Sequence, residues 1–256
     1  MGEELRGYTT LVTRPPRQAP ALQRLIEARG GQARVLPLIK PVRVSDWEDQ
    51  IQYAQAHIWN WIVFTSANAV TFFDDIYTNH DIAFSPDFRV AAVGRKTAEV
   101  LEQMGWAEPI VPEHYSAEGL ADLLQANVKE GENVLFPKSA RARHVIPDAL
   151  RRAGADCCEL PLYTSTPAVE NKQTLREWVK KEELDFLTFT SPSSVQAFAS
   201  FMEELNPKWK EIPLVSIGTI TDEAAARSGF LYRRTADPST IEGLVNTLTA
   251  FSKEDV

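Results

Sequence analysis

The chain repeats itself, and this repetition limits the folds open to it more than any other feature. Leu11-Val12-Thr13-Arg14 matches Leu135-Phe136-Pro137-Lys138, 124 positions later. At the same spacing Gly30-Gly31 lines up with Gly154-Ala155, and Pro37-Leu38 with Pro161-Leu162. Val93-Gly94 and Thr97 recur as Ile217-Gly218 and Thr221, and Glu118-Gly119-Leu120 recurs as Glu242-Gly243-Leu244. Phe64-Thr65-Ser66 returns as Phe189-Thr190-Ser191, one residue further on. Six collinear matches at nearly one offset point to duplication of a single half.

Each half alternates apolar strands with helical patterns. In the first, strands are predicted over 8–13, 33–38, 61–65, 89–93 and a short 109–111. Helices fall between them over 19–28, around Trp47 and Ile51, and over 67–77, 96–104 and 117–127. The second half repeats the series from Asn133. Strands that are apolar almost throughout suit parallel sheets covered on both faces. The expected fold is α/β: two similar doubly wound parallel-sheet lobes of about five strands each, from an internal duplication.

How the chain is shared between the lobes has two solutions. A tandem arrangement would divide them in the polar stretch Lys129-Glu130-Gly131-Glu132. In an exchange, the first strand-helix-strand of half one completes the lobe built by the end of half two. The chain would then cross near 37–41 and 161–167, both extended and bracketed by prolines. The pattern alone leaves both open.

Ligands of such sheets bind beyond the carboxyl ends of the strands, where loops enter helix N-termini. Here that edge is rich in hydroxyls and glycine: Thr13, Thr65, Ser66, Gly94, Thr97, Ser116, Ser139, Thr190, Ser191, Ser193, Gly218, Thr219, Thr221 and Ser239. Each taken singly is first a helix cap. Together they predict two facing arrays of N–H groups and hydroxyls between the lobes, suited to a ligand with many carboxylates. Arg14 and Lys138, at the matched strand ends, are the basic candidates; Arg17, Arg95, Lys96, Arg141 and Arg143 lie in nearby loops.

The charge balance of 27 basic against 35 acidic residues argues against nucleic acid as the main partner. No apolar run approaches a membrane span. No basic-then-apolar leader pattern follows Met1, so a cytoplasmic location is expected. Cys157 and Cys158 are adjacent, without metal-ligand spacing, and read as buried thiols of a reducing compartment. His57, His80, His114 and His144 are scattered, and neither G-x-G-x-x-G nor a P-loop nor G-x-S-x-G occurs. Any catalysis must rest on positioning, hydrogen bonds and one phenol.

In order and spacing these motifs resemble the uroporphyrinogen-III synthase family over nearly the whole chain. The resemblance rests on Leu11-Val12-Thr13-Arg14-Pro15, Phe64-Thr65-Ser66-Ala67-Asn68-Ala69-Val70, Val93-Gly94-x-x-Thr97-Ala98 and Ser116-Ala117-Glu118-Gly119-Leu120. It continues through Leu135-Phe136-Pro137 and through Leu162-Tyr163, which the hydroxyl run Thr164-Ser165-Thr166 follows. Phe189-Thr190-Ser191-Pro192-Ser193 and Ile217-Gly218-x-x-Thr221 complete it. Thr219-Ile220-Thr221 departs from the Pro-Thr-Thr of many members, so no hydroxyl role passes to Ile220.

The resemblance implies a cofactor-independent, monomeric lyase that closes hydroxymethylbilane into uroporphyrinogen III, with loss of water and inversion of ring D. It also implies the exchanged arrangement, with lobes 1–37 plus 167–256 and 41–163 joined by a two-strand crossover. Tyr163 matches the family's tyrosine and becomes the candidate proton donor. The expected ligands are substrate and product, and a transient contact with hydroxymethylbilane synthase is allowed. The competing expectation is a two-lobed binding module that holds a polycarboxylate without chemistry, since fold does not fix function. A phosphoacceptor domain would need acidic residues where Thr13-Arg14 and Pro137-Lys138 stand.

Overall fold

A computed structural model of the chain describes residues 2–45 and 47–253. The chain divides into two compact units, Met1–Lys40 with Thr166–Val256, and Pro41–Ser165. The discontinuous unit contains β1 (Thr9–Val12), α1 (Ala19–Glu27) and β2 (Gln32–Val35). Strand β3 (Ile39–Arg43) carries the chain across the first boundary. The second unit continues with α2 (Trp47–Gln55), β4 (Ile58–Phe64), α3 (Ala67–Asn79), β5 (Ala83–Ala92), α4 (Arg95–Gln103) and α5 (Ala117–Asn127). It closes with β6 (Asn133–Ser139), α6 (Val145–Arg152) and β7 (Asp156–Pro167), whose last residues return the chain across the second boundary. The first unit then resumes with α7 (Lys172–Lys180), β8 (Phe186–Phe189), α8 (Pro192–Met202), β9 (Leu214–Ser216), α9 (Thr219–Arg227), β10 (Arg233–Thr235) and α10 (Ile241–Phe251).

Each unit is built on one five-stranded sheet, in the orders β10-β9-β8-β1-β2 and β3-β7-β6-β4-β5. β1 therefore joins β8, whose residues come from the other half of the sequence, in parallel register (Leu11 with Leu187). Alternation along the strands places a core on both faces of each sheet. Leu11 and Leu187 pack with Phe189, Phe198 and Trp209 on one face, while Val12, Phe186 and Val215 meet Leu22, Leu244 and Leu248 on the other. In the second unit Ile62 and Phe64 join Phe73 and Leu101, whereas Trp61 and Val63 join Leu120, Leu124 and Phe136. Two-sided burial is what a doubly wound parallel sheet requires.

Several details depart from the sequence reading. β5 begins at Ala83, six residues before the predicted start, in a segment whose Pro86 and Asp87 mask strand character. The predicted strand at 109–111 is reduced to a single bridge between Ala91 and Ile110, because the chain turns into the loop before α5 after one pairing. β3 and the last residues of the long β7 form strands where an extended connection was expected. Cys157 and Cys158 are free but only partly buried; burial pushes their thiols up to about 12 and about 11 respectively. No helix among the described residues is long and apolar enough to cross a membrane.

Candidate active site

The strand-end edges are built from duplicated caps. Ser66 caps α3, its Oγ accepting from the Ala69 N–H at 3.1 Å, and Ser191 caps α8 by accepting from the Ser194 N–H at 3.2 Å. Ser116 caps α5 through the Gly119 N–H at 3.0 Å. Its counterpart is Thr240, which caps α10 through the Gly243 N–H, also at 3.0 Å. Ser239, the hydroxyl expected at this edge, is one residue away; the 124-residue offset from Ser116 points to Thr240. Gly94 and Gly218 stand at the N-termini of α4 and α9 in fully extended backbone. The close neighbour of each glycine is matched in place as well: a Cβ on Gly94 would meet Tyr115, and one on Gly218 would meet Ser239. Thr97 and Thr221 are buried, and their N–H groups bond back to the Gly94 and Gly218 carbonyls.

In the Pro41–Ser165 unit this edge gains a phenol. The Tyr163 hydroxyl lies 2.7 Å from Ser66 Oγ, and its ring stacks on Phe72 with centroids 5.1 Å apart. The ring is buried to 6% exposure in the core that contains Phe64 and Leu162. Burial raises the phenol above its usual range, with the Ser66 hydrogen bond acting the other way. Arg43, which sequence reading passed over, sits above the Phe72 and Trp47 rings and pairs with Asp75. Only its position in the first boundary strand could have signalled it. Nearby, Gly94, Arg95, Lys96, Thr97 and Tyr115 line a hollow of about 420 Å³. The neighbouring Tyr115 phenol is the main cause of a raised Arg95 pKa. Thr65 follows β4 directly and is half-buried. Arg143 pairs with Glu118 at 2.8 Å, while Arg141 is exposed.

Lys138 is not where a ligand contact was expected. β6 runs to Ser139, so Lys138 remains within the sheet at 5% exposure, beside Phe136 and ion-paired with Glu159 of β7. Its charge is compensated inside the fold.

In the other unit, Arg14 lies beyond the end of β1, half-buried, its guanidinium bonded to Gln18 at 3.1 Å and its Nε buried without a partner. Burial lowers its pKa. Thr13 Oγ1 donates to the Thr188 carbonyl at 2.9 Å and so serves the sheet. Ser191 and Ser193 bond each other at 3.1 Å. Thr219 is exposed at the first turn of α9, and Arg17 is exposed as well. A hollow of about 680 Å³ also lies in this unit, lined by Leu184, Asp185, Ile212 and Pro213 at the amino ends of β8 and β9. It is larger, but ligands of such sheets bind at the carboxyl ends of the strands, and the strand-end edge remains the candidate.

The chain has relatives in sequence and in fold. The chain aligns with the porphyrin biosynthesis protein HemD of Ruminiclostridium josui at 28% identity over 97% of its length, and spans about half (49%) of that protein. It is 32% identical to the uroporphyrinogen-III synthase of Chlorobaculum parvum, over 86% of this chain and 89% of that one. The solved uroporphyrinogen-III synthetase of Helicobacter pylori shares the fold, with a TM-score of 0.60 at 17% identity over 95% of this chain and 99% of that one. Residues 20–246 match the sequence model described as uroporphyrinogen-III synthase HemD, and the chain belongs to the uroporphyrinogen-III synthase family.

Proposed function

We propose that the protein is a carbon–oxygen lyase that closes hydroxymethylbilane to uroporphyrinogen III. The observation that carries this reading is the family match through residues 20–246, which includes Ser66, Tyr163 and both sets of capped helix N-termini. A substrate with many carboxylates suits an edge of N–H groups and hydroxyls, which bind anions without needing counter-charges at every position.

The phenol of Tyr163 supplies the proton. Burial keeps it protonated well above neutral pH, so it can donate to the hydroxyl leaving the ring A methylene. The C–O bond breaks, water departs, and the pyrrole nitrogen lone pair closes an azafulvene. Ring D then attacks through its substituted carbon to give a spiro intermediate, which reopens and closes with ring D inverted. The proton lost from carbon at the end matches the one given by the phenol. Atoms balance with loss of one water, so no oxidant or cofactor enters. The substrate also closes unaided to the type I isomer, so the protein's larger task is to hold the chain in the inverting geometry. Arg14, with an unpaired Nε, is the basic residue assigned to a substrate carboxylate. The same reading takes the protein as a cytoplasmic monomer, which suits the unbridged Cys157 and Cys158, meeting hydroxymethylbilane synthase only transiently.

The test is to incubate purified protein with hydroxymethylbilane, oxidise, and resolve the porphyrin isomers. Type III should dominate. Type I alone, at the rate seen without protein, would leave the binding-module reading in its place.

A further inference from the structure

The register of β6 with β7 contains one irregularity. Lys138 is opposite Pro161, but Ser139 is opposite Tyr163, so Leu162 is an extra residue on β7. Side chains alternate faces along a strand, and a bulge resets that alternation. Before it, Cys158, Leu160 and Leu162 share the face of the Phe64 core, while Cys157 packs on the opposite face. Strict alternation would send Tyr163 to the Cys157 side. Instead it lies in the same core as Leu162, where its hydroxyl reaches Ser66.

Ser66 Oγ already accepts the Ala69 N–H as the cap of α3. With the helix N-terminus pressing positive potential on that oxygen, its own proton is best directed outward, to the phenol. We propose that Ser66 is a positioning residue for Tyr163: it donates to the phenol oxygen and leaves the phenol's own proton free for the substrate. Ser66 would then act through Tyr163 and not as a carboxylate ligand. This rests on the reading of Tyr163 as the proton donor.

Three substitutions separate capping from donation. Ser66→Thr keeps both functions, Ser66→Asp caps but can only accept, and Ser66→Ala does neither. Turnover should stay near wild type in Ser66→Thr and fall about tenfold or more in both Ser66→Asp and Ser66→Ala, within the share of one proton-transfer group. Adding Ser66→Ala to Tyr163→Phe should slow the enzyme no further. A readout free of turnover is the ultraviolet titration of Tyr163, isolated as the difference between each protein and its Tyr163→Phe form. Because the Ser66 hydrogen bond lowers this pKa, the titration should move upward in Ser66→Ala. An unmoved titration, full turnover in Ser66→Asp, or losses that multiply in the double variant would each overturn the proposal. Full turnover in Tyr163→Phe with a moved titration would instead remove the acid role and leave the Ser66–Tyr163 bond intact.

Discussion

In the Pro41–Ser165 unit, Phe136 on β6 is in register with Glu159 on β7; at the matching place in the other unit, Val12 on β1 is in register with Val35 on β2. The pairing is matched, but β6 continues to Ser139 where β1 ends at Val12, and Glu159 stands where the other unit has Val35, with large consequences two residues along. Lys138 finds the Glu159 carboxylate and is buried, whereas Arg14 finds only Gln18 and keeps a bare Nε. A second pair tells the same story. Ser66 meets the Tyr163 phenol, but Ser191 meets Ser193 and Ser194, and the residue 124 positions before Tyr163 is the apolar Ile39. Duplication preserved the caps and the glycines; the chemistry diverged in the few side chains that those caps present.

If the scaffold is truly duplicated, equal damage to both copies should have equal effects. A Cβ at Gly119 would collide with the His114 carbonyl oxygen, and one at Gly243 with the Pro238 carbonyl oxygen. Gly119→Ala and Gly243→Ala should each cost about 3 kcal/mol, the range for a forced backbone shift, as read by denaturant midpoints. A loss confined to one of them would break the symmetry at its base.

The ion pairs should respond unequally. Glu159→Ala leaves Lys138 buried and uncompensated, which should cost about 2 kcal/mol after discounting for the exposed side of the carboxylate. The double change Lys138→Met with Glu159→Leu should recover most of it. Arg14→Ala should change stability by less than about 1 kcal/mol, since it removes one hydrogen bond to exposed Gln18, and raise KM while kcat holds. An unchanged KM would remove Arg14 from the site.

Tyr163→Phe should lower kcat by roughly ten- to a hundredfold with the product still type III. Ile39→Val, the matched change in the other half, should leave kcat untouched. Similar losses in both would mean that the crossover strands, and not the phenol, limit turnover.

An effect confined to alkaline pH comes last. Cys157, Cys158 and Tyr163 all have raised pKa values through burial, and all lie in the Pro41–Ser165 unit. Above their ordinary values the unfolded chain releases protons that the folded chain retains, so stability falls as pH rises. For the thiols the fall should begin near pH 9.0 and continue toward about 12. Thermal melts of Cys157→Ser against wild type between neutral pH and pH 11 would show it as a shallower decline in the variant.

Much of this was legible in the residues. The repeat, the two-sided apolar strands and the caps Ser66, Ser116 and Ser191 follow from local pattern, because periodicity and capping act over a few neighbouring residues. α5 runs over 117–127 as expected, stopped and started by its own neighbours. What the sequence could not decide depends on groups that only folding brings near. Lys138 reads as a strand-end cation until β6 extends past it and β7 supplies Glu159, 21 residues away. Tyr163 is a candidate by resemblance alone until pairing with β6 expels one residue from the ladder and its hydroxyl meets Ser66, 97 residues away. Spacing along the chain determines which elements form, since their hydrogen bonds are local. Register between strands determines which side chains meet, and register is set by packing across the whole sheet.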